Sequence, residues 1–306
     1  MKHSVLVGIG GCGVKCVEAT IHLASSQICD HTFYPIIIDQ DKSNGNIERL
    51  KNVIDSYLKL NNSLESEEIK WPFSNKLIKY DEFLPIAPVD ENLNFAAAIG
   101  EPSLEEDEKE IINALYTPNQ LRDYILNQGF KKRAHMGSLL FEDFILREQN
   151  KDINQMGLNY LCNQLKTLPD VEISIFASLF GGTGISGFYN VGKYFKQKLQ
   201  NANLRLILLT PYFALKSAGS ENEDASLVKS DSDMVATRIA LEIYGAEIEK
   251  VFDRVFLIGS DLNQVVDEKP SDKFTPYGKE QVNKAHFIEL IAASTIFNDF
   301  KSIDKD

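Results

Sequence analysis

Five short stretches are apolar at nearly every position and rich in β-branched residues: Ser4–Ile9, Phe33–Asp39, Ile173–Leu179, Leu204–Thr210 and Arg254–Gly259. Runs of this length without polar alternation predict strands buried on both faces, as in a parallel sheet. Helical periodicity fills the intervals. It predicts helices over Val14–Ser25, Gly137–Leu168, Phe188–Gln200 and Asp231–Phe252. In the second of these, Leu140, Phe144, Ile153, Leu161 and Leu165 carry the apolar positions. Strands alternating with helices predict an α/β fold, a mainly parallel sheet with helices on both faces.

Two stretches are less regular. Residues 43–130 are interrupted by Pro72, Pro85, Pro88, Pro102 and Pro118, and the acidic run Glu105–Glu110 reads as a solvated helix face or loop. Ser217–Ser232 is polar and predicts a long surface loop. The last pattern, Lys279 to Phe300, is different. Val282, Ala285, Phe287, Ile288, Leu290, Ile291, Ala292, Ala293, Ile296 and Phe297 point in nearly every direction around a helix. Such a helix is buried on all sides, or something outside this chain covers its outer face.

Composition narrows the function classes. The 306 residues are 43% hydrophobic and 25% charged, a globular balance. With 32 Lys+Arg against 44 Asp+Glu, the net charge is −12. An acidic chain has no general affinity for a nucleic-acid backbone or an anionic membrane, so neither is expected as a partner. Any phosphate must meet backbone N–H groups or a few local cations. Cys12, Cys16, Cys29 and Cys162 form no CxxC pair and no zinc-like cluster. No apolar run approaches 18 residues and no signal peptide is evident. The expectation is a soluble, reduced, cytoplasmic protein.

Two glycine-rich segments carry candidate chemistry. Gly8-Ile9-Gly10-Gly11-Cys12-Gly13 follows the first predicted strand and opens a helix. Glycine permits a tight turn and close approach of a ligand to the backbone. The helix start then offers unpaired N–H groups and a positive dipole end to an anion. Ser178-Leu179-Phe180-Gly181-Gly182-Thr183-Gly184-Ile185-Ser186-Gly187 repeats the arrangement after the third strand, and Thr183 adds a hydroxyl. Two such junctions in one sheet can hold a phosphate chain from two sides.

The pair of motifs resembles the tubulin/FtsZ family, whose signature is a GGGTGSG or GGGTGTG loop that cradles nucleotide phosphates. The order of elements after the second motif also resembles that family and ends in a long buried central helix, matched by Lys279–Phe300. The resemblance implies one nucleotide-binding domain over 1–306: a core of 1–42 and 131–278, an irregular insertion at 43–130 and a buried helix at 279–300. It implies GTP or GDP as ligand, with ATP not separated from it by these residues, and Mg²⁺ held by Asp41. Gly10, Gly11 and Cys12 would meet the α/β-phosphates, with Gly13 also in the nucleotide site, and Gly181, Gly182, Thr183 and Gly184 would meet the β/γ-phosphates. Asp39 and Asp41 match the family's acidic loop near the metal. Arg133, in the basic stretch with Lys131 and Lys132, matches a loop near the γ-phosphate. Asn263, Tyr277 and Asn283 are candidates for base or ribose contacts. His135 and His286 read as structural. Nucleotide-dependent self-association, or a larger protein partner covering the last helix, follows from the same resemblance.

The chain departs from the family in three ways. Phe180 stands where the first glycine of GGGTG belongs, which narrows the loop or shifts it toward another ligand. Ile185-Ser186-Gly187 replaces Ser-Gly or Thr-Gly. No Asn/Asp catalytic loop and no second activation-type domain follow the last helix, so hydrolysis is expected to be absent or to depend on a partner. Two rival readings use the first motif alone. One is an ATP-dependent adenylating enzyme of the ubiquitin-activating type, with Asp39, Asn44, Asn46 and Arg49 on the nucleotide. The other is an NAD-binding Rossmann protein with Asp39 on a ribose. Both leave Gly181–Gly187 without a task.

Overall fold

The computed structural model describes residues 2–26, 29–64, 75–213, 230–260 and 284–297. Six strands form one all-parallel sheet in the order β3-β2-β1-β4-β5-β6. They are β1 (Lys2–Ile9), β2 (His31–Ile38), β3 (Lys76–Leu77), β4 (Val171–Ser178), β5 (Asn203–Leu209) and β6 (Arg254–Ile258). The five expected strands are all present; β1 ends at Ile9 as expected, and the other four end one residue earlier than the apolar run. The sixth, two-residue β3 was not expected, since two residues leave no periodicity to read. The α/β class with helices on both faces is as predicted.

One face carries α1 (Gly10–Ala24), α2 (Gly45–Leu64) and the last helix of the described chain. The other carries α6 (Ala134–Asn150), α7 (Leu158–Leu165), α8 (Gly182–Lys198) and α9 (Ser230–Val251). Short helices α3 (Phe95–Ala98), α4 (Glu106–Leu115) and α5 (Pro118–Arg122) lie in the segment that brings Phe83, Phe95, Tyr116, Leu126 and Phe130 into this second core. In β1 and β4 successive side chains serve opposite faces. Val5, Val7 and Ile9 pack with α6 and α8, while Leu6 packs with α1.

Several expectations are corrected. Residues 43–130 are not irregular throughout: α2 is a 20-residue helix. Its Ile47, Leu50, Ile54 and Tyr57 recur at helical spacing and are buried. The single helix expected over Gly137–Leu168 is two, α6 and α7. They are separated where Asn154 N–H donates to Asp152 Oδ1 (2.8 Å), a local turn that competes with helix. The acidic run, by contrast, is the solvated helix face it was read as: it opens α4, whose first turn holds Glu106, Asp107 and Glu108 where the helix dipole favours negative charge. The polar loop expected at 217–232 falls largely outside the described residues, and α9 begins within it at Ser230.

The last helix is described as α10 (Phe287–Ser294). It lies against α1 with Ile288, Ala292 and Ala293 buried, but Phe287 is 69% exposed and Leu290 42%. Among the described residues it is therefore covered on one side only. Among the described residues no helix is long and apolar enough to cross a membrane.

Candidate functional site

In the strand order, β1 is the point where the chain stops building toward β2 and β3 and restarts with β4 on its other side. Adjacent loops diverge at such a switch point and leave a crevice at the carboxyl ends of the strands. Both glycine motifs open there. β1 and β4 are hydrogen-bonded neighbours with Ile9 opposite Ala177, so both motifs leave the same edge of the sheet.

The turns are in contact. Gly10 has φ +72°, a left-handed conformation that glycine adopts without penalty. A Cβ there would lie 3.1 Å from Gly184 N and 3.3 Å from Thr183 Cβ. A Cβ on Gly184 would lie 2.8 Å from Ser178 N and 3.3 Å from Ile9 O. Only bare backbone fits between the two motifs. Both helices start within them, α1 at Gly10 and α8 at Gly182, earlier than periodicity alone predicted. Two helix N-termini thus point their free N–H groups into one crevice. Gly11 is open by contrast. A Cβ there would meet nothing nearer than Asn44 Nδ2 (3.6 Å) and Asn46 Nδ2 (3.8 Å), at the start of α2. Gly13 serves packing, since a Cβ there would strike the Phe176 carbonyl.

The carboxylates lie beside these turns. Thr183 Oγ1 donates to Asp39 Oδ1 (3.1 Å), and Asp41 N–H donates to the same oxygen (3.3 Å). Asp39 is buried, and burial, followed by the charge of Asp41, pushes its carboxyl up to about 7 against those hydrogen bonds. Asp41 Oδ1 accepts from Ser43 N–H (3.2 Å) and Ser43 Oγ (2.9 Å). Gln40, between them, is a residue that sequence reasoning passed over. Its amide donates to Val89 O (3.1 Å) and Leu126 O (3.3 Å) and accepts from Val89 N–H (3.1 Å), holding the 88–126 segment to the end of β2.

The 129–133 loop closes the third side. A Cβ on Gly182 would lie 2.9 Å from Lys132 N, and one on Gly129 would lie 3.7 Å from Asp41 Cβ. Lys131 and Lys132 hold φ 42° and 64°, a left-handed backbone that costs on the order of 1 kcal/mol per residue. The Lys132 ammonium pairs with Asp233 of α9. Arg133 lies with its guanidinium carbon 4.6 Å above the Tyr124 ring. The loop thus meets the glycine turns through its backbone rather than through Arg133. Lys132 belongs to the expected basic stretch, but it meets the second motif through its backbone; the place of Gly129 beside Asp41 depends on a contact between distant segments and has no signal in the sequence.

Phe180 does not narrow the loop. Its ring is buried edge-on against Tyr212 (5.8 Å) and Phe213 (5.5 Å). Behind Cys12, the buried Lys15 ammonium pairs with Glu289 of α10. Glu289 also accepts from Tyr212 OH (2.6 Å) and from His286 N–H (2.8 Å). Burial pushes the Cys12 thiol up. His135 stacks on Tyr116, and His286 Nδ1 accepts from Ile288 N–H (3.2 Å). Asn263, Tyr277 and Asn283 lie outside the described residues.

The residues fit a polyphosphate with a hydrated divalent ion. Among the described residues no group of three or more His, Cys, Asp or Glu could hold a metal alone. Mg²⁺ normally keeps several waters and takes one or two carboxylates plus phosphate oxygens, and Asp39 and Asp41 supply that many.

No protein-family model matches the chain. No curated protein matches it either. Solved structures similar to it include CetZ from Methanosaeta thermophila strain DSM 6194, at 14% identity over 97% of this chain and 54% of that one, with a TM-score of 0.43. CetZ1 from Haloferax volcanii, a GDP-bound monomer, is 10% identical over 97% of this chain and 58% of that one, with a TM-score of 0.45. TubZ of Clostridium botulinum phage c-st, truncated at its C-terminal tail, is 13% identical over 89% and 55%, with a TM-score of 0.34. CetZ and TubZ are tubulin/FtsZ-family proteins, and the likeness to them is one of fold. The chain spans little more than half the length of each of these structures.

Proposed function

We propose that this chain binds a purine nucleotide, GTP or GDP, with Mg²⁺ in the crevice between the two glycine turns, and that its association with further copies or with a protein partner depends on the bound nucleotide. One observation carries the reading: the two turns lie against each other at the switch point, a Cβ on the left-handed Gly10 lying 3.1 Å from Gly184 N and one on Gly184 lying 3.3 Å from Ile9 O. Amides of Gly10, Gly11 and Cys12 would take phosphate oxygens from one side, and those of Gly181, Gly182, Thr183 and Gly184 from the other. Preorganised N–H groups bind an anion without the desolvation cost of a buried cation, which suits a strongly acidic chain. Asp41, with Asp39 behind it, would hold the ion, which when bound neutralises phosphate charge. Guanine is preferred over adenine on the resemblance of the motifs alone. Asn263, Tyr277 and Asn283 remain our candidates for base and ribose, and Arg133 for the outer phosphate.

The rivals fare less well. A thioester-forming adenylating enzyme needs a reactive thiolate. Burial instead raises the thiols of Cys12 and Cys16, and those of Cys29 and Cys162 to about 11 and about 12. In an NAD reading Asp39 would face a ribose, whereas its carboxylate accepts the Thr183 hydroxyl.

Mass spectrometry of nucleotide released from purified protein identifies the ligand and its phosphate number. Purine nucleotide with Mg²⁺ raises the melting temperature of the wild type. Gly182→Asp and Thr183→Arg each remove that rise. Intact binding in both variants reduces the second motif to a turn and overturns the reading.

A further inference from the structure

At the opposite edge of the sheet, where the strands begin, lies a cavity of about 400 Å³. Lys2, Asp170, Glu172, Asn203, Arg205 and Arg254 line it. Lys2, Glu172, Arg205 and Arg254 belong to four successive strands, β1, β4, β5 and β6. Alternation along those strands puts all four on the face that carries α1 and α10. Arg205 and Arg254 are register partners on neighbouring strands, and both line this cavity. Like charges directly opposite one another are unfavourable unless an anion lies between or beside them.

Only part of that anion is supplied by the described residues. Glu172, with 1% of its surface exposed, accepts on Oε2 from Lys2 Nζ (2.8 Å) and from Arg205 Nη2 (2.7 Å). Its other oxygen, Oε1, is buried with no hydrogen-bond partner among the described residues. The Nη1 of Arg254 is likewise buried with none. A buried acceptor and a buried donor, each unmet, are costly in a folded protein and mark a place where something polar belongs. Three cations against two carboxylates leave this cavity net positive in a chain of net charge −12. Asp170 at its rim holds φ 50°, so the backbone there is also outside its relaxed range.

We propose that this cavity binds a small oxyanion carrying its own hydrogen-bond donor: the oxyanion on the Arg254 fork and Lys2, the donor on Glu172 Oε1. Protonated phosphate and small hydroxy or amino acids share that chemistry. The site is separate from the glycine turns, at the other end of the same strands, and stands whether or not they bind nucleotide.

Calorimetric titration of the full chain distinguishes the possible ligands. Inorganic phosphate and glycolate are each compared with an oxyanion lacking the donor, sulfate and acetate respectively. Titrations are run with and without excess nucleotide to separate this cavity from the glycine turns. We expect saturable binding of phosphate or glycolate at millimolar concentration, at least about tenfold tighter than the donorless partner. Arg254→Gln should abolish it, Arg254→Lys should weaken it, and Gly182→Asp should leave it unchanged. Three results overturn the proposal: no saturable heat with either ligand, equal binding by the donorless anions, or binding that survives Arg254→Gln and disappears in Gly182→Asp.

Discussion

Two adjacent glycines in the first turn differ in what they can bear. Gly10→Ala puts a Cβ into a left-handed position 3.1 Å from Gly184 N. The strain costs about 1–2 kcal/mol, and the two turns must separate to relieve the contact. Gly11→Ala finds open space, with its nearest neighbours at 3.6 Å. Thermal unfolding should therefore show a loss for Gly10→Ala and little change for Gly11→Ala. Nucleotide binding should fall in Gly10→Ala, whose added methyl sits between the two turns. Asp39 gives a prediction in pH. Folded, its carboxyl holds a proton up to about 7, against 3.8 as its ordinary value. The folded chain binds the extra proton between those values, so this group's contribution to stability falls as pH rises from about 4 to about 7. Asp39→Asn should gain stability relative to wild type across that window and hold a constant advantage above it. Urea unfolding of both proteins from pH 4 to 8.5 measures the difference, and parallel curves would exclude it. The motif glycines were legible residue by residue because their chemistry is local. The contacts of Gly129, Lys132 and Gln40 were not, because each joins segments tens of residues apart.

The helices are placed by a few buried contacts that can be broken singly. Lys15 of α1 and Glu289 of α10 form an ion pair inside an otherwise apolar layer. Removing one partner strands the other charge, so Lys15→Met should cost about 3–5 kcal/mol, while Lys15→Met with Glu289→Leu should recover most of it. A denaturant double-mutant cycle reads the coupling. The crossing of α6 and α8 is tight in a different way. A Cβ on Gly187 would strike the Phe141 ring, and one on Gly137 the Ser186 hydroxyl. Gly187→Ala should destabilise by about 1–3 kcal/mol through overpacking, without touching the crevice. The last glycine of the second motif therefore belongs to helix packing rather than to ligand binding. The strands were readable because burial on both faces leaves an uninterrupted apolar run. The helix α2 was missed although Ile47, Leu50, Ile54 and Tyr57 repeat at helical spacing, since the prolines that follow it made the whole stretch look broken. The break between α6 and α7 was hidden because Ile153, 48% exposed, continues the apolar rhythm through a turn.

For the molecule as a whole, charge sets the terms of assembly. A net charge of −12 makes copies repel one another, and salt screens that repulsion over about 10 Å at 0.1 M. Association proposed to follow nucleotide binding should therefore strengthen with moderate salt. Sedimentation velocity across protein concentration, with GTP and Mg²⁺, tests this; a monomer at every concentration and salt level would remove the proposal. The parallel sheet covered on both faces was implied by strands alternating with helices, whereas its strand order was not, because alternation does not say on which side of β1 each later strand is added. The outward face of α10 was implied less well, because an all-round apolar pattern does not say which side its own chain covers.

The helix α10 is fastened near both of its limits. Glu289 anchors its first turn beside α1, and just beyond its end the Thr295 carbonyl accepts from Arg205 Nη1 (2.9 Å). A rod pinned at two points cannot slip along its axis by a turn without releasing both pins together. Its amides should therefore exchange with deuterium as one block rather than fray from either tip. A disturbance at the beginning of β5 would then be felt, through a strut eight residues long, beside Cys12 at the far rim of the sheet.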